Sequence, residues 1–556
     1  MEVYFIFTLD GFIKSPVCAL NEGIKACKTA FIPFFFAFFG LFTVIGCKAK
    51  NTNTQRVDSR ELDIYSQQKY SEINIDSTQL LLFLKENKVA DSTALNVLQF
   101  YKRRDFQNAW FTSIGLSIAA TNFYQQFKND NEIFLDKSLE NKTMDSLFKL
   151  VSTDEKIFLK NEKYVQTLEM LLTITFFKYT EKAYIGATAS TQNLDWFIPR
   201  RKKSYLVLLD SLVSKNANSL MQEPVNEYYK RLKEKLKLYR NIQNEGGFTP
   251  IDWDKKTLKV GDSANYVLSL KKHLFQTRDL ASEDQSAIFT SDLVEAIKNF
   301  QHRMGLVETG NINNSTLIEL NETVDFRIKQ IMVNLERLRW VPVQLEKDYL
   351  LVNIPEFRLH IFENNKQTWQ TNVVVGKEAR RTSVFRGDLS TVVLNPYWGI
   401  PPRIVKEEIL PKLKRNPNYL NKNNMEIVEG SYRQKPGIQN ALGKMKFLFP
   451  NNFSIYLHDT PSKSLFNEND RAFSHGCIRV LDPKRLAIHL LKNTEWTEEK
   501  INQVLKTNTT TNIPVKPTMA VYIAYFTAWV DQDGQMNFRK DIYNLDNKLS
   551  SEVFGQ

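Results

Sequence analysis

Up to Gly246-Gly247 the chain is rich in Leu, Lys and Glu, and its apolar positions predict a helical region over residues 61–245. Beyond the glycine pair, Val267, Leu270 and Leu274 keep helical spacing, as do Val294, Ile297 and Phe300. Gly305, Gly310 and the Asn-rich turn from Asn311 to Asn314 punctuate them, which predicts a small three-helix unit over 257–321. From Glu322 to Trp340, the residues Val324, Ile328, Ile331, Leu335 and Leu338 step by four and three. That single apolar stripe predicts a linking helix within 322–346, packed under whatever follows.

At Leu350 the period becomes two. Leu350, Val352 and Ile354 alternate, Pro355 interrupts, and Phe357, Leu359 and Ile361 resume. Strand-like runs follow at Thr371 to Val375 and Thr391 to Leu394, so a β-rich domain is expected over 347–496. Within it, residues 401–450 hold a helix-like "RIVKEEILPKLKRN" and glycine breaks at Gly437 and Gly443, which marks an insertion. The segment 497–556 ends in aromatic-rich runs around Asp533-Gly534, a hairpin signal whose apolar density predicts packing against the body. The fold class is therefore multidomain α+β.

Composition and charge change this picture little. Of 556 residues, 42% are hydrophobic and 24% charged, an ordinary globular balance in a chain long enough for several domains. The net charge of +12 favours anionic polymers or surfaces. Zinc spacing, a basic zipper and RNP-type aromatic strands are all missing from the sequence, so a nucleic-acid partner is not expected. The N-terminus matters more. Lys25 and Lys28 precede an uncharged apolar run from Ala30 to Gly46 that ends Val44-Ile45-Gly46-Cys47. This resembles a bacterial lipobox, where the signal is cut before a cysteine that is then lipidated. Residues 1–47 read as that signal or as an uncleaved membrane anchor, and 48–60 as a tether. Either way the body works outside the cytoplasm, attached to a membrane.

The chain has four cysteines: Cys18, Cys27, Cys47 and Cys477. Cleavage and lipidation at Cys47 leave a single thiol, Cys477, in the remainder, so no structural disulfide is expected there. Two of only six histidines, His458 and His475, fall beside it in "IYLHDTPSKSLFNENDRAFSHGCIRV". The run up to His458 reads as a strand end, Asp459 to Asp470 as a loop, and Ser474-His475-Gly476-Cys477 as a tight turn. A thiol is only a few per cent ionised at neutral pH, and a histidine partner promotes its ionisation. His458 is the candidate base across the loop, and the N–H groups of the Gly476-Cys477 turn are candidate oxyanion donors. With no second cysteine or suitable carboxylate spacing, a closed metal site is not expected.

His458, a polar loop, then Ser474-His475-Gly476-Cys477 resembles the catalytic motif of the YkuD-type L,D-transpeptidases. "LNPYWGIPPRIVKEEILPKLKRNPNYL", "YRQKPGIQNALGKMKFLFP" and "LHDTPSKSLF" are similar to the large YcbB-like branch of that family. "FYKRRDFQNAW" and "LLTITFFKYT" resemble its helical scaffold, and "AIKNFQHRMGL" with "TGNINNSTLIEL" a peptidoglycan-binding domain. The resemblance implies that Cys477 attacks the third residue of a tetrapeptide stem, releasing terminal D-alanine and leaving a thioester. His458 would move the protons, oriented by the main chain of Asp459, and a diamino-acid amine of a neighbouring stem would complete a 3→3 cross-link. His475 and Gly476 would support the reacting centre, while Tyr456, Ser474 and Arg479 would contact substrate. Arg479 replaces the asparagine common in the family, so it either holds a substrate carboxylate or braces the turn. No cofactor is implied, carbapenem sensitivity is, and the insertion is either a lid or a surface excursion. The partners would be peptidoglycan stem peptides in a periplasmic envelope. A non-catalytic wall-binding lipoprotein and a cysteine hydrolase of stem peptides are the alternative readings.

Overall fold

The computed structural model describes residues 73–186, 196–198, 204–214 and 223–554. The apolar run, the tether and Cys47 lie outside the described residues. Among those described, no helix is long and apolar enough to cross a membrane.

The N-terminal part is helical, with its longest helix at Glu162–Thr180. That helix is buried on nearly every side, including Glu169. The Glu169 carboxylate is accommodated because it accepts the backbone N–H groups of Ala109 and Trp110 and the Tyr101 hydroxyl. Three helices follow, Tyr266–Gln276, Ser291–Arg303 and Asn314–Leu320. Val267, Leu270, Leu274, Ile297 and Phe300 are in the core, whereas Val294 is half-buried and Leu293 takes the inward position. Gln301, inside "AIKNFQHRMGL", is fully buried and explains the polar half of that signature. Its amide donates to Thr309 Oγ1, Asn311 O and Thr316 Oγ1, and accepts from Gly310 N. Four bonds, each contributing about 1 kcal/mol net, pin the "TGNINNST" turn.

The linking helix, Val324–Arg339, departs from the single-stripe expectation. Its apolar stripe is buried as expected, but so are Arg327, Gln330, Asn334, Glu336 and Arg337. The helix is central, packed by the helices Glu227–Asn244 and Leu545–Phe554 and by the C-terminal hairpin. Its buried polar face is satisfied from outside: Arg337 pairs with Asp546 at 2.6 Å, and Asn334 donates to Thr527 Oγ1 at 2.7 Å.

The period-two region forms a nine-stranded sheet. In chain order its strands are β1 (Tyr349–Asn353), β2 (Arg358–Glu363), β3 (Lys366–Gly376), β4 (Phe385–Leu394), β5 (Met445–Leu448), β6 (Leu457–His458), β7 (Ala472–Ser474), β8 (Ile478–Val480) and β9 (Thr511–Ala524). The spatial order is β7-β3-β8-β6-β5-β4-β9-β1-β2, and β2 also pairs with β3. That extra pairing curls the sheet into a closed, barrel-like ring with β7 as a side branch, which removes most exposed edges. Pro355 sits in a single turn of 3-10 helix between β1 and β2, which it can enter because its missing N–H is not needed there.

One boundary needs correction. The segment 497–556 does not merely pack against the body: β9 runs between β4 and β1 inside the sheet. Its N-terminal half, "TNIPVKPT", hides the strand, because Pro514 and Pro517 cannot donate ladder bonds, and the register with β4 shifts between Pro514 and Met519. The predicted hairpin is present, Ala528–Val530 against Met536–Phe538, with Gly534 at positive φ in its turn.

The insertion emerges between β4 and β5. It carries its own sheet of Trp398–Gly399, Ser431–Gln434 and Met425–Val428, and its own apolar cluster of Ile400, Ile404, Ile409 and Met425. The helix-like run is interrupted by a wide turn at Val405–Ile409, just before Pro411. Pro411 has no N–H for the carbonyl four residues back, so the helix loosens there.

Candidate active site

The cysteine and its neighbours are placed by strand alternation. β6 runs parallel to β8, with His458 opposite Arg479, and antiparallel to β5, with His458 opposite Lys446. Lys446, His458 and Arg479 therefore form a row across one face of the sheet. Tyr456 and Cys477, two residues back on their chains, share that face. Leu457, Ile478 and Phe447 point the other way and are fully buried. His458 and Cys477 are thus brought to neighbouring strands of one face, Cys477 two residues before the partner of His458.

Each group has a defined setting. Cys477 is partly exposed, and its Sγ lies 3.6 Å from the Ser454 carbonyl oxygen. Burial pushes the thiol up, opposed by hydrogen bonds from the backbone and hydroxyl of Tyr456 and by the charges of Lys446 and Arg479. His458 is buried, and its Nδ1 lies 2.5 Å from the Asp459 carbonyl oxygen, the main-chain partner the resemblance implies. A carbonyl can only accept, so Nδ1 carries the proton and Nε2 is left bare. Burial first, then Arg479, lowers this imidazole to about 3, and it is neutral at physiological pH. The resting pair is therefore neutral thiol and neutral imidazole.

The Asp459 side chain works elsewhere. Its carboxylate accepts from Lys444 N and Lys463 Nζ, both at 2.8 Å. Gly443 is required beside it: its φ is positive, and a Cβ there would come within 2.3 Å of the carboxylate.

Three expected roles are placed differently. Ser474 is buried and its hydroxyl is committed to the turn, donating to Cys477 O and accepting from Gly476 N, so it does not reach substrate. That bond also occupies the Gly476 N–H, which removes it from the candidate oxyanion donors and leaves the Cys477 N–H. Gly476 still needs to be glycine, with φ at 115° and its carbonyl accepting from Thr382 Oγ1 at 2.8 Å. His475 turns away to the insertion, where Nε2 lies 2.8 Å from Glu408 Oε1.

Several residues of the site escaped the sequence reading. Lys446 sits 4.0 Å over the Tyr456 ring with no ion-pair partner among the described residues. A lone lysine between Met445 and Phe447 in an alternating strand was the available signal. Arg479 likewise forms no ion pair there, and its buried Nε has no hydrogen-bond acceptor. Trp398 of the insertion lies near enough to the Tyr456 hydroxyl to offset slightly the upward push of burial on it. Glu407 and Glu408 of the insertion pair with Arg380, Glu407 through a close contact and Glu408 at 3.7 Å. Nothing in the local sequence pointed to Trp398 or to the glutamates. Among the described residues, no cluster of His, Cys, Asp and Glu is placed to hold a metal.

A thiol and a carbonyl-oriented imidazole thus share one face of a closed β-sheet, flanked by unpaired cations. Comparison matches three separate parts of the chain to known families. Residues 347–505 match the L,D-transpeptidase catalytic domain (YkuD), 96–236 a scaffold domain, and 264–320 a "Putative peptidoglycan binding domain". Separate parts of the chain are thus similar to the YkuD-type L,D-transpeptidase catalytic domain and to a putative peptidoglycan-binding domain. A "Putative L,D-transpeptidase" of Haemophilus influenzae is 35% identical over 246 residues, 40% of this chain and 49% of that protein. The chain therefore spans about half the length of that curated relative. Among solved structures, an L,D-transpeptidase of Stackebrandtia nassauensis covers 50% of this chain and 97% of its own, at 14% identity and a TM-score of 0.22. One from Mycobacterium smegmatis covers 32% and 58%, at 12% identity and 0.18. Scores at that level add nothing to the assignment.

Proposed function

We propose that the protein is an L,D-transpeptidase of the cell envelope that makes 3→3 cross-links in peptidoglycan through a cysteine thioester. The observation that supports this most is the shared sheet face: Cys477 beside an imidazole whose Nδ1 is fixed on the Asp459 carbonyl, so that Nε2 is free to take a proton. His458 Nε2 accepts the thiol proton as Sγ adds to the carbonyl carbon of the third stem residue. The Cys477 N–H and the Tyr456 hydroxyl are the donors nearest the oxygen that becomes negative. Collapse breaks the amide bond, and the leaving D-alanine amine takes the proton from His458. A side-chain amine of a diamino acid in a second stem then attacks the thioester, gives its proton to His458, and releases the thiolate to be reprotonated. Lys446 and Arg479, lacking counter-charges, hold the carboxylates of the donor stem. The insertion closes over this centre through Trp398, Glu407 and Glu408 and keeps water from the thioester. The N-terminal segment, through a lipidated Cys47 or as an uncleaved anchor, tethers the enzyme to the membrane, and carbapenems acylate Cys477.

The test is incubation of the purified protein with disaccharide-tetrapeptide. Cross-linked dimer and free D-alanine are expected. Trimmed tripeptide alone would mean hydrolysis, and unchanged substrate a binding role; either overturns the proposal. Cys477→Ala is expected to abolish the acyl-enzyme mass adduct with an unchanged circular dichroism spectrum.

A further inference from the structure

Two buried hydroxyls, those of Thr382 and Tyr543, have no task in the proposed reaction, although they are bonded in series to the nucleophile turn. They come from distant parts of the chain. Thr382 follows β3, and Tyr543 lies between the C-terminal hairpin and the helix Leu545–Phe554.

The loop after β3 folds back on the end of that strand. It can do so because Gly376 has no side chain: a Cβ there would stand 2.2 Å from Arg380 O and 2.8 Å from Thr382 N. The close approach brings Thr382 Oγ1 between two backbone groups. It accepts from Gly376 N at 2.9 Å and donates to Gly476 O at 2.8 Å. A carbonyl can only accept, so the single hydroxyl proton is committed to Gly476 O. Tyr543 ties the strand end to the loop, donating to Gly376 O and accepting from Thr382 N at 3.3 Å. Its own place is fixed by Tyr525, whose hydroxyl accepts from Tyr543 N at 2.8 Å and donates to Asp541. In a trans peptide the carbonyl and the N–H point to opposite sides of the C–N bond. Gly476 O and Cys477 N belong to one peptide, so holding the carbonyl on Thr382 sets the direction of the Cys477 N–H. Gly476, at φ 115°, puts little restraint of its own on that plane. Its own N–H is taken by Ser474 Oγ at 3.1 Å, which leaves the aim of the turn's remaining donor to Thr382.

We propose that Thr382 is a positioning residue for the oxyanion donor: its hydroxyl holds the Gly476–Cys477 peptide plane so that the Cys477 N–H meets the oxygen that becomes negative, and Tyr543 holds Thr382 in place. A donor aimed in advance needs no reorientation when the charge develops, which is where such groups gain their effect. The inference rests on Cys477 as the nucleophile and on no particular acceptor amine.

Acylation and alkylation of Cys477 separate this role from a merely structural one. Attack on a stem carbonyl creates an oxyanion. Alkylation by iodoacetamide displaces iodide at a saturated carbon and creates none. In the full chain, Thr382→Val is expected to slow acyl-enzyme formation with disaccharide-tetrapeptide about a hundredfold, the lower end for a lost oxyanion donor, and to leave the alkylation rate unchanged. Thr382→Ser, which keeps the hydroxyl, should recover most of the loss. Tyr543→Phe should slow acylation about fivefold to tenfold, the scale of one hydrogen bond, again with alkylation unchanged. Three outcomes would each overturn the proposal: acylation and alkylation falling together, acylation at the parent rate in Thr382→Val, or no recovery in Thr382→Ser. A crystal structure of the parent acylated by a carbapenem decides even if a variant misfolds. The thioester oxygen should accept from the Cys477 N–H with Thr382 Oγ1 still on Gly476 O, and an oxygen bonded elsewhere would overturn the assignment. A parent that neither compound acylates, with Cys477 still open to alkylation, would defeat the reading of Cys477 and this inference with it.

Discussion

At the residue scale, the reactivity of Cys477 is a balance between burial and two fixed cations. Lys446 and Arg479 both favour the thiolate, and neither is neutralised by a described acid. Replacing either by Met removes one favourable charge, so the thiol should titrate higher. Iodoacetamide alkylation at pH 8 is expected to slow by about tenfold per cation, one unit of pKa. Unchanged rates would mean that the charges lie too far away or are screened. His458 gives a pH prediction of definite sign. Folded, it binds a proton only near pH 3; unfolded, it binds one near the ordinary imidazole value of 6.5. Between these values the unfolded state holds more protons, so stability falls as pH drops from about 6.5 towards 3. His458→Gln should flatten that part of the stability curve in urea melts, with the contribution of buried His273, also lowered to about 3, remaining. A curve as steep as that of the parent would show that His458 is not held neutral. The sequence singles out Cys477 and His458 by motif and local spacing, and the resemblance implies the Asp459 main chain, to whose carbonyl His458 Nδ1 is bonded. The commitments of Ser474 and the Gly476 N–H were not legible, since both depend on how one turn closes, and the free valences of Lys446 and Arg479 could be counted only once their neighbours were known.

At the scale of elements, the insertion is a small body with its own core, joined to the barrel by few polar contacts. Glu407 and Glu408 meet Arg380 and His475, and Trp398 meets Tyr456. In the proposed scheme His475, bonded to Glu408, positions the cap, a task apart from proton transfer. Exposed pairs of this kind contribute little to global stability, so Glu408→Gln should leave the melting temperature nearly unchanged. Its effect should appear in partitioning: with the cap held less firmly, water competes for the thioester, and the ratio of trimmed to cross-linked product rises. His475→Gln should shift the ratio the same way while leaving the rate of acyl-enzyme formation close to that of the parent. A fall in acylation with an unchanged ratio would return His475 to the chemical step. The insertion could be located from its glycine and proline punctuation, but its contacts join residues nearly thirty or more positions apart, and periodicity carries no information at that range.

At the scale of the whole molecule, the β-rich domain runs past the end of its family match. The family match ends at residue 505, yet β9 at Thr511–Ala524 lies between β4 and β1 and supplies buried Ile513, Val521 and Ile523 to the core. Alternation identified β1 and β2 from sequence; in β9 two prolines disguised the same alternation, and the strand was misplaced in a packing tail. Beyond β9 the chain returns to the central helix, where Thr527 and Asp546 satisfy Asn334 and Arg337. A fragment ending at residue 505 would therefore open the barrel, strip β1 and β4 of a shared neighbour, and leave buried polar groups of the central helix without partners. Each such orphaned group costs about 1–3 kcal/mol, and loss of several buried apolar side chains costs about 2–5 kcal/mol apiece. Together these reach the whole stability of an ordinary domain, about 5–15 kcal/mol. The fragment is expected to bind a hydrophobic dye, show no cooperative melt by circular dichroism and fail to acylate, although it contains every residue of the catalytic motif. A cooperative melt and normal acylation in that fragment would mean that β9 is dispensable and that the ring does not need to close.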